Sequence, residues 1–457
     1  MSFPKYLAYK ESGESRVGPI PTHWSLVPCR SFVTECVEKN TSGAITEYLS
    51  LMANIGIIRY EDKGDIGNKK PDDLSKCKIV RRGNLVINSM NYGIGSYGLS
   101  ALNGVCSSVY IVLNPIAKVV SERFALRVFE EKEFQSWAQS FGNGILAHRS
   151  AIGWDDLKNI KIALPPLSEQ ASISAFLDHE TAKIDALIEE QQRLIELLKE
   201  KRQAVISQAV TKGLDPSVPM KDSGVEWLGE VPAHWTVCKL SFRYSVELGK
   251  MLDEKNISGK YLLPYLRNQD VQWGTINSED LPTMDIHPKE FDRYTVKHGD
   301  LLVCEGGDVG RAALWQREEN AVGYQKALHR LRPKAAGTDT APFLFFSLMA
   351  AKENGVFEES DTKATISHLP AEKFRQYKFA FPPLVEQVKI VVSLNQKLHR
   401  ANTTINTAIE STSLLKERRS ALISAAVTGK IDVRGWQPAN PPSQELNQES
   451  KPCLEGL

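Results

Sequence analysis

Residues 10–24 read KESGESRVGPIPTHW, and residues 221–235 read KDSGVEWLGEVPAHW, the same frame 211 positions later. Both copies keep Lys-acid-Ser-Gly and then Gly-x-x-Pro-x-His-Trp. Working outward, ALPPLSEQ (163–170) returns as AFPPLVEQ (380–387), and KEKRQAVISQAVTKG (199–213) as KERRSALISAAVTGK (416–430), each 217 positions on. Between these anchors RRGNLVIN (81–88) is matched more loosely by KHGDLLVC (297–304). Matched segments in one order mark an internal duplication, and this decides the architecture.

Each copy ends in a long helical segment. Pro165-Pro166 and Pro382-Pro383 suit a first helical turn and stop what precedes them. Glu169 and Glu386 then fall where a carboxylate complements the helix dipole. Gly213 and Gly429, each beside a lysine, mark the other ends. Residues 168–211 would span roughly 66 Å at ~1.5 Å per residue. Ile173, Leu177, Ile184, Leu187, Leu194, Leu198 and Val205 recur at coiled-coil spacing. Glu180, Gln191 and Lys201 interrupt that seam. Ile390, Leu394, Ala401, Thr404, Ala408, Leu415 and Leu422 fill the equivalent sites of the second helix, a poorer stripe whose small residues would let the larger side chains of the first approach closely. A helix this apolar on one stripe needs a partner; its own repeat is the simplest, an intermolecular coiled coil the alternative.

The segments between are rich in short β-type runs with turn signals and a few helical stretches. Residues 84–88 and 301–304 read as strands, residues 121–140 and 341–352 as helices. The expected class is α+β: two tandem mixed α/β domains separated by two long helices that pair as an antiparallel coiled coil, with internal pseudo-two-fold symmetry. The expected boundaries are a first domain at 1–164, a helix at 165–213, a second domain at 214–381, a second helix at 382–430 and a C-terminal tail at 431–457. The tail, rich in Pro, Gln, Asn and Glu, reads as disordered or weakly docked.

With 457 residues, more than one hydrophobic core is expected. Basic and acidic residues balance at 56 and 55, so any nucleic-acid surface must be a local patch. The cysteines at 29, 36, 77, 106, 238, 304 and 453 include no CxxC pair, which points to reduced thiols rather than disulfides or zinc. MSFPKYLAYKESGE lacks the apolar core of a signal peptide, and the apolar run at 341–351 is too short to span a bilayer. A cytoplasmic protein is expected.

Catalytic signatures are missing: there is no GxxxxGK[ST], HExxH, GxSxG or [DN]PP[YF]. Gly93-Ile94-Gly95-Ser96-Tyr97-Gly98 does match GxGxxG. That fingerprint needs a helix N-terminus behind it to aim amides at a pyrophosphate, whereas LSALNGVCSSVYIVLN reads as turn and strand. A glycine-rich hairpin is expected instead. His23 and His234, each preceding Trp in the repeated frame, read as a structural plug rather than ligands.

In combination KDSGVEWLGEVPAHW, LPPLSEQ with its helix, and ISQAVTKGLDP (206–216) resemble the specificity subunits of type I restriction-modification systems. The likeness runs to about residue 434, mainly in the repeated segments. It implies a non-catalytic DNA-recognition subunit whose two target-recognition domains and spacer helices read a split target. It also implies two methyltransferase subunits and restriction-translocase subunits as partners, with double-stranded DNA as ligand and no membrane. No cofactor belongs to this chain itself; S-adenosylmethionine, ATP and Mg come with the partners. Two differing domains on a rod would read an asymmetric bipartite site, the rod fixing the unread spacer.

Candidate DNA-contacting residues flank the glycine turns and variable loops. They are Lys69, Lys70, Asn91, Tyr92, His148 and Arg149 in the first half. In the second they are Arg267, Asn268, Gln269, Arg311, Gln325, Lys326 and Lys363. Arginine suits guanine, Asn or Gln suits adenine, and lysine holds phosphate. The rival readings are a coiled-coil scaffold with two protein-binding domains, and a nucleotide-dependent enzyme resting on the 93–98 turn.

Overall fold

A computed structural model describes residues 3–67, 69–141, 151–252, 259–318, 321–358 and 368–438. The chain forms two compact units, one of residues 1–191 with 410–457 and the other of residues 192–409.

In the first unit the repeated frame opens as a hairpin, Tyr9–Glu11 against Pro19–Pro21. Ser25–Pro28 then pairs antiparallel with Lys161–Leu164, the strand that feeds the long helix. The central antiparallel sheet runs in the order Val33–Glu35, Tyr110–Pro115, Leu85–Asn88, Tyr97–Leu99. Both of its faces are covered. Leu85, Ile87, Ile111 and Leu113 face Phe124, Val128 and Phe129, while Val86 and Val112 face Leu49, Leu51 and Cys106. Two-sided burial explains why these strands read as unbroken apolar runs rather than alternating ones. The expected helical stretch is two helices, Glu122–Glu130 and Lys132–Gln139, the second N-capped by the Glu131 carboxylate.

The second unit repeats this frame. Met220–Asp222 pairs with Glu230–Pro232, and Thr236–Lys239 with Lys378–Phe381. The sheet order is Tyr244–Leu248, Leu328–Pro333, Leu301–Cys304, Ala312–Leu314. Leu301, Val303 and Leu331 face Phe343 and Leu344 of the helix Ala341–Glu353; Leu302, Cys304 and Leu328 face Leu266, Val271 and Tyr324.

The long helices are Leu167–Lys212 and Leu384–Val427. In the first unit the start of one packs on the end of the other. Ile173, Phe176 and Leu177 share a core with Ile423, Ala426 and Val427, and Arg419 Nε donates to Asp185 Oδ1 at 2.8 Å. In the second unit Ile206, Ala209 and Val210 share a core with Ile390 and Leu394, and Arg202 Nη1 donates to Asn402 Oδ1 at 3.2 Å. Rising numbers on one helix meet falling numbers on the other, so the pairing in each unit is antiparallel.

The first helix departs from the expected register at Leu187, Leu194 and Lys201, and the second at Thr404, which is exposed while Ile405 is buried. Leu187 and Leu194 are 46% and 39% exposed, whereas Ile188 and Ile195 are the half-buried residues. From Ile184 the burial runs 184, 188, 191, 195, 198, 202, 205, an unbroken alternation of four and three. Leu187 competed for the seam because it lies three residues from Ile184 and is equally apolar. Lys201 is exposed and Arg202 takes the inward place.

Beyond the second helix the chain docks as far as it is described. Asp432 N–H donates to Pro4 O at 2.8 Å, and the Trp436 ring lies 5.4 Å from that of Phe176. Among the described residues no helix is long and apolar enough to cross a membrane.

Candidate nucleic-acid interface

The repeated anchors build one device in each unit. Glu169, in the first turn of the first long helix and only 5% exposed, accepts from Trp24 Nε1 at 3.1 Å and pairs with His23 Nε2 at 2.7 Å. The Tyr6 hydroxyl donates to the same carboxylate. Burial and that carboxylate push the Tyr6 phenol far above its ordinary range, so it stays a donor. Glu386 repeats the arrangement with Trp235 at 3.1 Å and His234 at 2.8 Å. The next residue fastens the same helix to the recognition fold. Gln170 accepts from Ser121 N–H at 2.9 Å, and Ser121 is the N-cap of the helix Glu122–Glu130. Gln387 accepts from Thr340 N–H at 2.9 Å, and Thr340 caps Ala341–Glu353. Thus the Pro-Pro-Leu-x-Glu-Gln segments and the His-Trp pairs are mutual partners. The histidines serve structure, as their repeated context indicates.

The frame holds up a set of turns, and in the second unit they draw together six of the seven sequence candidates. Arg267, Asn268 and Gln269 follow the strand Leu262–Leu266; Arg311 closes the glycine turn after Leu301–Cys304; Gln325 and Lys326 follow Val322–Tyr324. Arg267 is tied by Nε and Nη2 to the buried Asp270 carboxylate at 2.9 and 2.8 Å, which strengthens its hold on its proton. Asn268 Nδ2 donates to Gly306 O at 3.0 Å, and Arg311 Nη2 donates to Asn268 O and Oδ1 at 3.0 and 2.9 Å. Gln325 N–H donates to Leu266 O at 2.9 Å, stitching the third turn to the first. Gly249 is required beside it, because a Cβ there would come 2.2 Å from Gln325 O. Asn268 therefore spends its amide nitrogen on Gly306 and its oxygens on Arg311, while Gln269 and Lys326 are the exposed members. Lys363 lies outside the described residues.

In the first unit Lys69, Lys70 and Asn91 are exposed. Tyr92 corrects its expectation: it is wholly buried, its hydroxyl donates to Phe129 O at 2.6 Å, and its ring belongs to the core. A residue in a glycine-rich turn was expected to project, but Gly93 and Gly95 let the turn fold its aromatic side chain inward. His148 and Arg149 lie outside the described residues. The 93–98 segment is a short 3-10 turn, Tyr92–Ile94, then Gly95 at φ 90° and the strand Tyr97–Leu99. No helix N-terminus follows, so the dinucleotide geometry is not formed. The structure also displays a residue outside the sequence candidates. Ile55, 69% exposed, tips the turn between Leu49–Met52 and Gly56–Arg59, and that turn packs on the 93–98 segment. An apolar residue in a turn carries no polar signal in the sequence.

Among the described residues no group of three or more His, Cys, Asp or Glu is placed to hold a metal ion. Inside the second fold two arginines are held by internal acceptors. Arg243 chelates Asp339 at 2.8 and 2.9 Å, and Arg330 Nη1 donates to the carbonyls of Asp292 and Thr295 at 3.0 and 2.6 Å.

The family model described as "Type I restriction modification DNA specificity domain" matches twice, at residues 35–198 and 235–411. The MjaVIII type I restriction enzyme specificity subunit of Methanocaldococcus jannaschii is 24% identical over 444 residues, covering 95% of this chain and 98% of that protein. The EcoKI specificity subunit of Escherichia coli K12 is 24% identical over 288 residues, 62% of this chain and 60% of that protein. Among solved structures, the HsdS subunit from Thermoanaerobacter tengcongensis aligns with a TM-score of 0.53 at 17% identity, over 90% of this chain and 98% of that one. A chain from a type I R-M system, described for its assembly and conformational transition, aligns at 0.65 and 17%, over 89% and 98%.

Proposed function

This chain belongs to the type I restriction-modification DNA specificity family, and from that premise we propose how it divides the work of recognition. It is a DNA sequence-specificity subunit with two recognition domains. Our reading assigns them to residues 1–164 and 214–381, the spacer helices to 165–213 and 382–430, and a tail to 431–457. Each domain reads one half of a bipartite target. The observation that carries this is the duplicated frame with unlike turns: the same sheets and latches present Asn91 and Ile55 in one unit, Gln269 and Lys326 in the other. Unlike readers on like frames give unlike half-sites, so the whole target is asymmetric.

Of the sequence candidates, Lys69, Lys70 and Lys326 suit phosphate, Asn91 and Gln269 suit base edges, and Arg267, Asn268, Arg311 and Gln325 shape the turns. The long helices set the unread spacer and dock methyltransferase subunits. Exposed Leu187, Leu194, Leu197 and Leu414 on those helices supply apolar surface for that docking. In this reading the chain is non-catalytic and works in the cytoplasm. S-adenosylmethionine enters with the methyltransferase subunits, and ATP and Mg with restriction-translocase subunits.

Methylome sequencing of a host expressing this chain with its cognate methyltransferase subunit tests the reading. A new split motif with N6-methyladenine on both strands is the expected result. Unchanged methylation by an assembled complex would refute it in favour of a protein-binding scaffold.

A further inference from the structure

In both units one asparagine fastens two turns together. Asn54 takes a left-handed conformation, φ 62°, and donates its N–H to Gly95 O at 2.9 Å. Its side-chain oxygen fills the place a Cβ on Gly95 would need, 2.4 Å away. The two turns are in backbone contact, since a Cβ on Gly98 would meet Gly56 Cα at 2.9 Å. In the second unit Asn268 does the same work with its amide, on Gly306 O at 3.0 Å, and is itself gripped by Arg311. Each glycine turn follows the matching sheet strand, Leu85–Asn88 or Leu301–Cys304. Asn54 and Asn268 thus hold one place in the duplicated frame, and both are pegs rather than readers.

The residue after each peg is displayed on the fastened turn. It is Ile55, 69% exposed, in one unit and the exposed Gln269 in the other. Ile55 has company across the fastening, because Ile94 on the glycine turn is 57% exposed. Gln269 has a brace, because the Arg267 guanidinium held by Asp270 lies 3.2 Å from the end of its side-chain amide, which accepts from it when the amide is turned to present its oxygen. A rigid turn loses little freedom on binding, which is the condition for discriminating single bases.

We propose that Ile55 and Gln269 are equivalent, specificity-determining positions, one in each recognition domain. Gln269 engages an adenine through its two-point edge, and Ile55 lies against the methyl group of a thymine. The proposal rests on the reading above, that the two domains recognise DNA.

The test is methylome sequencing of the full chain with its cognate methyltransferase subunit, in wild type and in three variants. Gln269→Ala relaxes one adenine position in one half-site, with discrimination there falling about 5- to 150-fold, while the other half-site keeps its bases. Gln269→Glu moves preference at that same position toward cytosine, whose amino group a carboxylate accepts, and a misfolded domain does not produce such a gain. Ile55→Gln alters one thymine position in the opposite half-site. If the wild type writes a split motif and all three variants write the same motif with the same discrimination, the assignment is wrong and the family reading stands. Loss of all methylation in both Gln269 variants also overturns it, marking the residue as structural. If the wild type writes no split motif, the underlying reading itself falls.

Discussion

Replacing Glu169 with alanine takes one carboxylate away from three donors. Trp24 is wholly buried and Tyr6 only 5% exposed, so neither finds water in its place. An orphaned buried donor costs about 1–3 kcal/mol, so the two together cost roughly 2–6 kcal/mol. His23, with 41% of its side chain exposed, rehydrates and adds little. Glu386→Ala orphans one buried donor, Trp235, because His234 is 45% exposed, and should cost about 1–3 kcal/mol. The twin latches are therefore unequal, and the first outweighs the second. Native-state amide exchange, followed in peptides around residues 161–177 and 378–394, reads the two locally. Glu169→Gln, which keeps an acceptor oxygen, should fall between wild type and alanine. Equal losses in the two alanine variants, or a larger one for Glu386→Ala, would refute the donor count.

Other outcomes follow from the same structure. Burial lowers the His329 pKa from 6.5 to about 4, while its Nε2 bonds Leu369 O at 2.7 Å. The unfolded chain then binds the proton first, so stability is full above pH ~6.5 and declines toward pH ~4, by about 3 kcal/mol in all. Thermal melts between pH 7.5 and 5 should show this slope, and His329→Leu should flatten it. Gly95→Ala sets a Cβ against Asn54 at a positive φ and should cost about 1–3 kcal/mol; relaxed reading of one half-site with the other intact is the expected methylome signature. Deleting four residues from each long helix shortens it by ~6 Å, near 2 base pairs, and should change the spacer while keeping both half-sites. An unchanged spacer removes the helices' proposed role as a ruler.

The frame was legible because its parts are sequence-local and written twice. Pro-Pro, the first-turn glutamates and the closing glycines each announce a helix end by backbone chemistry alone. The seam was less so: Leu187 and Ile188 are both apolar, and only burial separates them. The candidate interface was legible where glycine turns marked it, which is why Arg267 through Gln269 and Arg311 converge. What the sequence hid was long-range. The fastenings of Asn54 to Gly95 and of Asn268 to Gly306 join turns some 40 residues apart, roughly a quarter of a domain. Nothing in local periodicity marks an asparagine as a peg or the next residue as its display, and nothing shows that Tyr92 turns inward while Ile55 stands out.

The two units also differ in when they can exist. The second is one uninterrupted run, residues 192–409, while the first needs residues 1–191 together with 410–457. A ribosome adding ~5–20 residues per second takes on the order of 10–40 s to cross the run between. For that interval Ile173, Phe176 and Leu177 stand without Ile423, Ala426 and Val427, the side chains that finish their core. The part of the protein made first is thus completed last, against the usual vectorial order. A nascent chain with an open apolar groove for tens of seconds is a client for a chaperone, and a stalled or truncated message would release a finished second unit beside an unfinished first.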